Sequence, residues 1–203
     1  MYSQRVRLLR GPDKVRIETE RLMLRLPRRG DEVALARFYS DNRSFLQPFS
    51  PTFNEELFSA RAWRDRIEST LAEYRNGKGL RLILLPRTEP TRVVGVANFT
   101  SISGFPTYLC NLGYSIAESE QGKGLMTEAL QGAIHYMFAE TNLHRIEANY
   151  MASNARSSRV LEKLGFVIEG YAKDYILING RWEDHVRTGL SNSAWGHSRT
   201  SSI

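Results

Sequence analysis

The stretch Glu120-Gln-Gly-Lys-Gly-Leu-Met-Thr-Glu-Ala-Leu130 constrains this chain more than any other. Two glycines and a lysine stand between a strand-like run at residues 108–116 and a helical one at residues 125–138. A strand that feeds a glycine-rich loop opening a helix aims backbone N–H groups at an anion. The free amides and positive dipole end of such a helix favour negative charge, and glycines let a phosphate approach the backbone. The loop reads as a phosphate cradle. A Rossmann-type dinucleotide site is the least favoured owner of that phosphate, because the loop follows a strand meander rather than lying in repeated βαβ units.

The rest of the chain supplies the frame. Alternating leucines (Leu22, Leu24, Leu26) predict a strand within residues 15–26. A helix is predicted from Gly30-Asp31 to about Asp41-Asn42, then an irregular link marked by Pro48 and Pro51. Ala60, Trp63, Ile67, Leu71 and Tyr74 share one face of a second helix, which Asn76-Gly77 stops. Runs at residues 80–85, 92–102 and 108–116, separated by short Pro- and Gly-containing turns, predict an antiparallel meander. After the central helix come a strand at residues 145–151 and a helix capped by Ser153-Asn154 and closed by Gly165. Asn179-Gly180 joins two long strand patterns and predicts a type I′ hairpin turn. His135 falls off the apolar stripe of its helix and reads as a surface residue.

A length of 203 residues suits one domain, with a basic arm expected at residues 1–13, a folded body at 14–190 and a polar, fraying tail at 191–203. The 28 Lys and Arg residues against 22 acidic ones leave a net charge of +6, consistent with an anionic cofactor or RNA-rich surroundings and specific to neither. The single cysteine, Cys110, excludes an intrachain disulfide and reads as a packed thiol rather than a nucleophile. No apolar run approaches the roughly 20 residues that span a bilayer, and the N-terminus lacks a signal-peptide core. A cytoplasmic protein with no membrane partner is expected.

In order, Gln121-Gly-Lys-Gly124, the helix, the strand, Asn154 and Leu164-Gly-Phe166 resemble the GNAT acetyltransferase superfamily over nearly the whole chain. Gly95-Val-Ala-Asn-Phe99, Gln121-Gly-Lys-Gly-Leu-Met126, His144-Arg145, Ala148-Asn-Tyr-Met151 and Glu169-Gly-Tyr-Ala-Lys-Asp-Tyr175 are similar to the ribosomal-protein-alanine N-acetyltransferases of the RimJ type. The resemblance implies an α/β fold with a mixed, mostly antiparallel sheet flanked by helices. It also implies acetyl-CoA as co-substrate, no metal, and an acceptor at a ribosomal protein's N-terminus, that of the fifth small-subunit protein. Carried over by position, Gln121, Gly122, Lys123, Gly124, Leu125, Met126 and Thr127 would hold the pyrophosphate. Backbone at Tyr114, Ser115 and Ile116, together with Asn154, would hold the pantetheine arm. Ser157 matches a serine credited with protonating the leaving thiolate. Two positions depart from the family. Ser119 replaces the usual Arg or Gln three residues before the first loop glycine, and Leu161 stands where some relatives carry a tyrosine acid.

Acyl transfer from a thioester needs a neutral amine, a positioned carbonyl and a fate for the thiolate. At pH 7 roughly a tenth to a sixth of α-amines are neutral, against about one lysine in 2,500. An N-terminal amine therefore needs little help from a base. Glu147 and Asn149 share one face of their strand by alternation and are the candidates to face the acetyl group, with Glu147 the nominal base or simply a paired charge. Two alternatives stay open: an acetyltransferase for a small polyamine or aminoglycoside, and a ribosome-assembly module whose basic arm contacts rRNA.

Overall fold

A computed structural model describes residues 11–196. The basic arm lies outside the described residues except for residues 11–13, as does the tail beyond residue 196. One eight-stranded sheet runs in the order β1-β2-β3-β4-β5-β6-β8-β7. Its strands are β1 (Arg16–Glu18), β2 (Leu22–Arg25), β3 (Leu80–Pro86), β4 (Gly95–Thr100), β5 (Leu109–Ile116), β6 (Arg145–Met151), β7 (Val167–Ile178) and β8 (Arg181–Ser191). The helices are α1 (Glu32–Asp41), α2 (Arg43–Leu46), α3 (Ala60–Arg75), α4 (Leu125–Glu140) and α5 (Ala155–Lys163). Every neighbouring pair is antiparallel except β5 and β6, which the α4 crossover joins in parallel.

Two apolar layers hold the sheet. Leu82, Leu84, Ala97, Phe99, Leu112, Ile146 and Ala148 pack against Ala129, Leu130, Ala133 and Met137 of α4 and Leu161 of α5. Ile83, Leu85 and Val96 point the other way, onto Leu35 and Phe38 of α1 and Trp63 and Ile67 of α3. β3 is buried on both faces, so its run Leu82–Leu85 is continuously apolar rather than alternating. Each such leucine taken out of water contributes about 1.5–3 kcal/mol.

Three details differ from the expectation. The single strand expected within residues 15–26 is a hairpin, because Thr19 turns the chain back: its amide donates to Leu22 O and its hydroxyl accepts from Leu22 N–H. The run at residues 92–102 narrows to Gly95–Thr100, its ends spent in turns. The start of the tail is exposed but tethered: the Trp195 ring lies against the Tyr108 and His144 rings and its indole N–H donates to Asn142 O. The hairpin turn is as expected, with Asn179 and Gly180 both at positive φ (45° and 80°). Cys110 is buried and unbonded to sulfur, and His135 is exposed.

The feature that makes a site is where β5 and β6 stop pairing. Their parallel register covers only Leu109–Asn111 against Arg145–Glu147. Beyond it β6 continues beside β8 while β5 runs on to the glycine loop, so among the described residues no strand pairs with residues 112–116 on that edge.

Candidate active site

The loop is shaped by backbone conformation. Gly122 and Gly124 take φ of +72° and +77°, the left-handed region in which a side chain is strained. Gly124 caps α4 with no side-chain hydrogen bond, and the first helical bond runs from Glu128 N–H to Gly124 O. The Gln121 amide is spent on Glu118 O, whereas those of residues 122–127 have no partner among the described residues and are open to an anion.

Side chains around the loop clamp it. The Glu128 carboxylate accepts from the Thr19 hydroxyl at 2.6 Å, the Arg21 amide at 2.8 Å and Arg21 Nε at 2.6 Å. Arg21 Nη1 also donates to Lys123 O at 2.9 Å, tying the β1–β2 turn to the loop. Burial pushes the Glu128 carboxyl up, but those hydrogen bonds outweigh it and hold the group below the ordinary carboxylate range. A carboxyl depressed in the folded state stabilises above its unfolded pKa, and that contribution is lost as pH falls through the folded value. Glu128→Gln is expected to cost about 2 kcal/mol at pH 7, lowering Tm by about 4–8 °C. The gap to the parent should shrink in thermal melts taken below about pH 4.

Lys123 does not line the cavity at the loop. Its ammonium pairs at 2.9 Å with Glu120, which Arg92 also holds at 3.0 Å. Burial raises the Glu120 carboxyl, yet the hydrogen bonds from Lys123 and Arg92 win and leave it lowered. The lysine braces the loop from outside, and the amides do the facing.

A cavity of about 610 Å³ runs from this loop along β5 to α5. It brings together Tyr114, Ser115, Ile116, Gln121, Gly122, Gly124, Leu125, Met126, Thr127, Asn154 and Ser157 among the residues singled out in the sequence. That volume is in the range of small-molecule and cofactor sites. Asn154 caps α5, its Oδ1 accepting the Ser157 amide at 3.1 Å. This fixes the turn that carries the Ser157 hydroxyl, which lies 2.7 Å from the Tyr114 phenol oxygen.

Glu147 and Asn149 are not brought to the cavity. Glu147 sits where β5 and β6 are still paired and is engaged by Arg145 at 3.1 Å and Arg187 at 3.7 Å. Asn149, opposite Arg187 on β8, has a buried Oδ1 without a hydrogen-bond partner. Strand alternation put them on one face, but alternation does not say which part of that face opens.

Sequence reasoning missed other walls of the cavity. Phe45 lies in the one-turn helix α2 and Phe49 and Ser50 follow it, and Ser50 O accepts from Asn179 N–H at the tip of the last hairpin. Nothing local in so short a helix and the link behind it marks such residues. Arg156, Arg159 and Lys163 line the α5 side, and their spacing of three and four on one helix face was a legible signal. Among the described residues no carboxylate pairs with any of the three, while Arg156 lies over the Phe45 ring.

Among the described residues, a strand edge without a neighbour, a helix N-terminus without a side-chain cap and cations without a carboxylate partner meet on one cavity, which suits a long, multiply anionic ligand. The chain belongs to the GNAT family: residues 21–167 match the Acetyltransferase (GNAT) domain. It is 43% identical to the [ribosomal protein uS5]-alanine N-acetyltransferase of Escherichia coli K12, covering 90% of this chain and 93% of that protein. The crystal structure of a ribosomal-protein-S5-alanine acetyltransferase from Vibrio fischeri superposes with a TM-score of 0.85 at 35% identity, over 89% of this chain and 98% of the other. Mycobacterium smegmatis RimJ, solved in complex with CoA-disulfide, gives 0.78 at 27% identity, over 84% and 81%. The chain is an N-acetyltransferase of the RimJ-like group.

Proposed function

We propose that this enzyme acetylates the α-amine of ribosomal protein uS5 at an N-terminal alanine, using acetyl-CoA in a cytoplasmic ternary complex. The observation that carries the reading is the single cavity joining the amide cradle of residues 122–127, the open edge of β5 and the Ser157 hydroxyl. The acceptor is inferred from the E. coli relative, with which similarity extends over nearly the whole chain.

The co-substrate supplies an acetyl thioester and three phosphate groups. The loop amides and the Arg156, Arg159 and Lys163 side chains would hold its phosphates. Backbone at Tyr114, Ser115 and Ile116 with Asn154 would hold the pantetheine arm as an added strand. Ser157 would protonate the departing sulfur. Cys110, the one cysteine, is buried away from the cavity, and burial pushes its thiol up to about 12, so it is no candidate for a covalent intermediate. Direct attack by the amine is the route this reading takes. Glu147, already engaged by two arginines, is not required as a base when the acceptor is an α-amine.

Three acceptors test the reading: an alanine-started peptide, the same peptide N-blocked with an internal lysine, and spermidine, each followed by CoA release and product mass. Acetylation of the first alone supports it; acetylation only of the second or third overturns it. Contact of the basic N-terminal arm with ribosome or rRNA is a second reading, resting on Arg5, Arg7 and Arg10 of the arm with Lys14 just after it. It predicts rRNA binding that weakens steeply with salt.

A further inference from the structure

The two strands that part at the site each send a tyrosine to the first turn of α5. Tyr114 of β5 meets Ser157, and Tyr150 of β6 accepts a hydrogen bond from the Ser158 hydroxyl at 3.2 Å. The pairs look alike but differ in position. Tyr114 and Ser157 line the cavity, whereas Tyr150 and Ser158 do not.

The Tyr114 phenol has two acceptors within reach, the Ser157 hydroxyl oxygen at 2.7 Å and the Ser157 carbonyl oxygen at 3.3 Å. A serine hydroxyl owns one proton. If that proton is given to Tyr114, Ser157 has none to offer the cavity. If Tyr114 donates to Ser157 Oγ, the serine proton is released to point into the cavity. A phenol is also a better final proton source than an aliphatic alcohol, and one that is neutral at working pH can always donate. Burial keeps Tyr114 neutral, raising its phenol to about 12 against the lowering effect of the Ser157 bond.

We infer that Tyr114 is a positioning residue for acetyl transfer: its phenol donates to Ser157 Oγ, aims the serine proton at the leaving sulfur and replaces that proton as it departs. As the acceptor nitrogen bonds to the acetyl carbon, the carbon–sulfur bond breaks and its electron pair goes to sulfur. Sulfur takes the Ser157 proton, and Ser157 Oγ takes the Tyr114 proton. The acylated nitrogen releases its own proton to solvent, from which the phenolate is reprotonated, so no charge is left over. With Leu161 of α5 at the position where some relatives carry a tyrosine acid, this pair supplies a phenol from β5 instead.

The inference rests on the proposed role of Ser157, and the test separates the two. Tyr114→Phe, Ser157→Ala, the double variant and Tyr150→Phe are assayed with acetyl-CoA and the alanine-started peptide, with Tm and acetyl-CoA Kd measured to confirm folding. Tyr114→Phe is expected to lower kcat about 10-fold or more while KM for acetyl-CoA stays within about two-fold. The double variant should be no slower than Ser157→Ala, since groups acting as one unit are not additive. Tyr150→Phe, which cuts the neighbouring tie between α5 and the sheet, should leave kcat near the parent value. Ser157→Ala with full kcat would remove the serine role and this inference with it. A slow Ser157→Ala beside a full-rate Tyr114→Phe, multiplicative losses in the double variant, or an equal loss in Tyr150→Phe would overturn the Tyr114 inference alone.

Discussion

Replacing Ser157 by alanine should lower kcat for an N-terminal acceptor about 100-fold, with KM for acetyl-CoA little changed. The hydroxyl sits at the end of the cavity, on a helix turn fixed by Asn154 and within 2.7 Å of Tyr114. An oxygen held in this way serves the departing sulfur only once the carbon–sulfur bond is breaking, so its removal acts on the transition state rather than on binding. A positioned acid is worth about 10²–10⁴-fold. Ser157→Thr keeps the hydroxyl and should recover much of the rate. Steady-state kinetics under conditions where chemistry limits will check this; an alanine variant with parental kcat excludes the serine from the mechanism.

The second large effect belongs to the loop. Gly124→Val should raise the Kd for acetyl-CoA about 10- to 100-fold in calorimetry. Gly124 holds φ of +77° directly before α4, and a β-branched residue is a true outlier there. Relieving about 1–3 kcal/mol of strain means turning the peptide, which swings the amides out of the cradle. Space is not the obstacle, since the nearest atom to an added Cβ is Arg21 Nη2 at 3.6 Å. Backbone direction is. Lys123→Ala should have the smaller effect on Kd, because that ammonium is already paired to Glu120 and Lys123 does not line the cavity.

These two predictions also mark what the sequence made legible. Local chemistry wrote the loop: glycines for positive φ, a helix behind it, and Asn154 three residues before Ser157. The Asn179-Gly180 turn and the apolar stripe of α4 were equally plain, because each depends on neighbours along the chain. What escaped depends on where strands part and what reaches across. Glu147 and Asn149 share a strand face, but the register that keeps Glu147 beside Asn111 is a tertiary fact. Phe45 and Phe49 reach the cavity from the one-turn helix α2 and the link behind it. The Thr19 turn was hidden because alternating leucines fit one long strand as well as two short ones.

The proposed acceptor makes a kinetic demand that the site meets. Among the described residues the carboxylate that lines the cavity, Glu120, is paired to Arg92 and Lys123, so turnover should follow the neutral fraction of the acceptor amine. It should rise about tenfold per pH unit below the α-amine pKa of about 7.7–8.0, then level off.

The most direct measurement is tandem mass spectrometry of purified, unacetylated uS5 after incubation with this enzyme and acetyl-CoA. A single added acetyl group on the nitrogen of the N-terminal alanine is the predicted result. Acetyl found only on lysine side chains, or none on uS5 while a small amine is acetylated readily, contradicts the account.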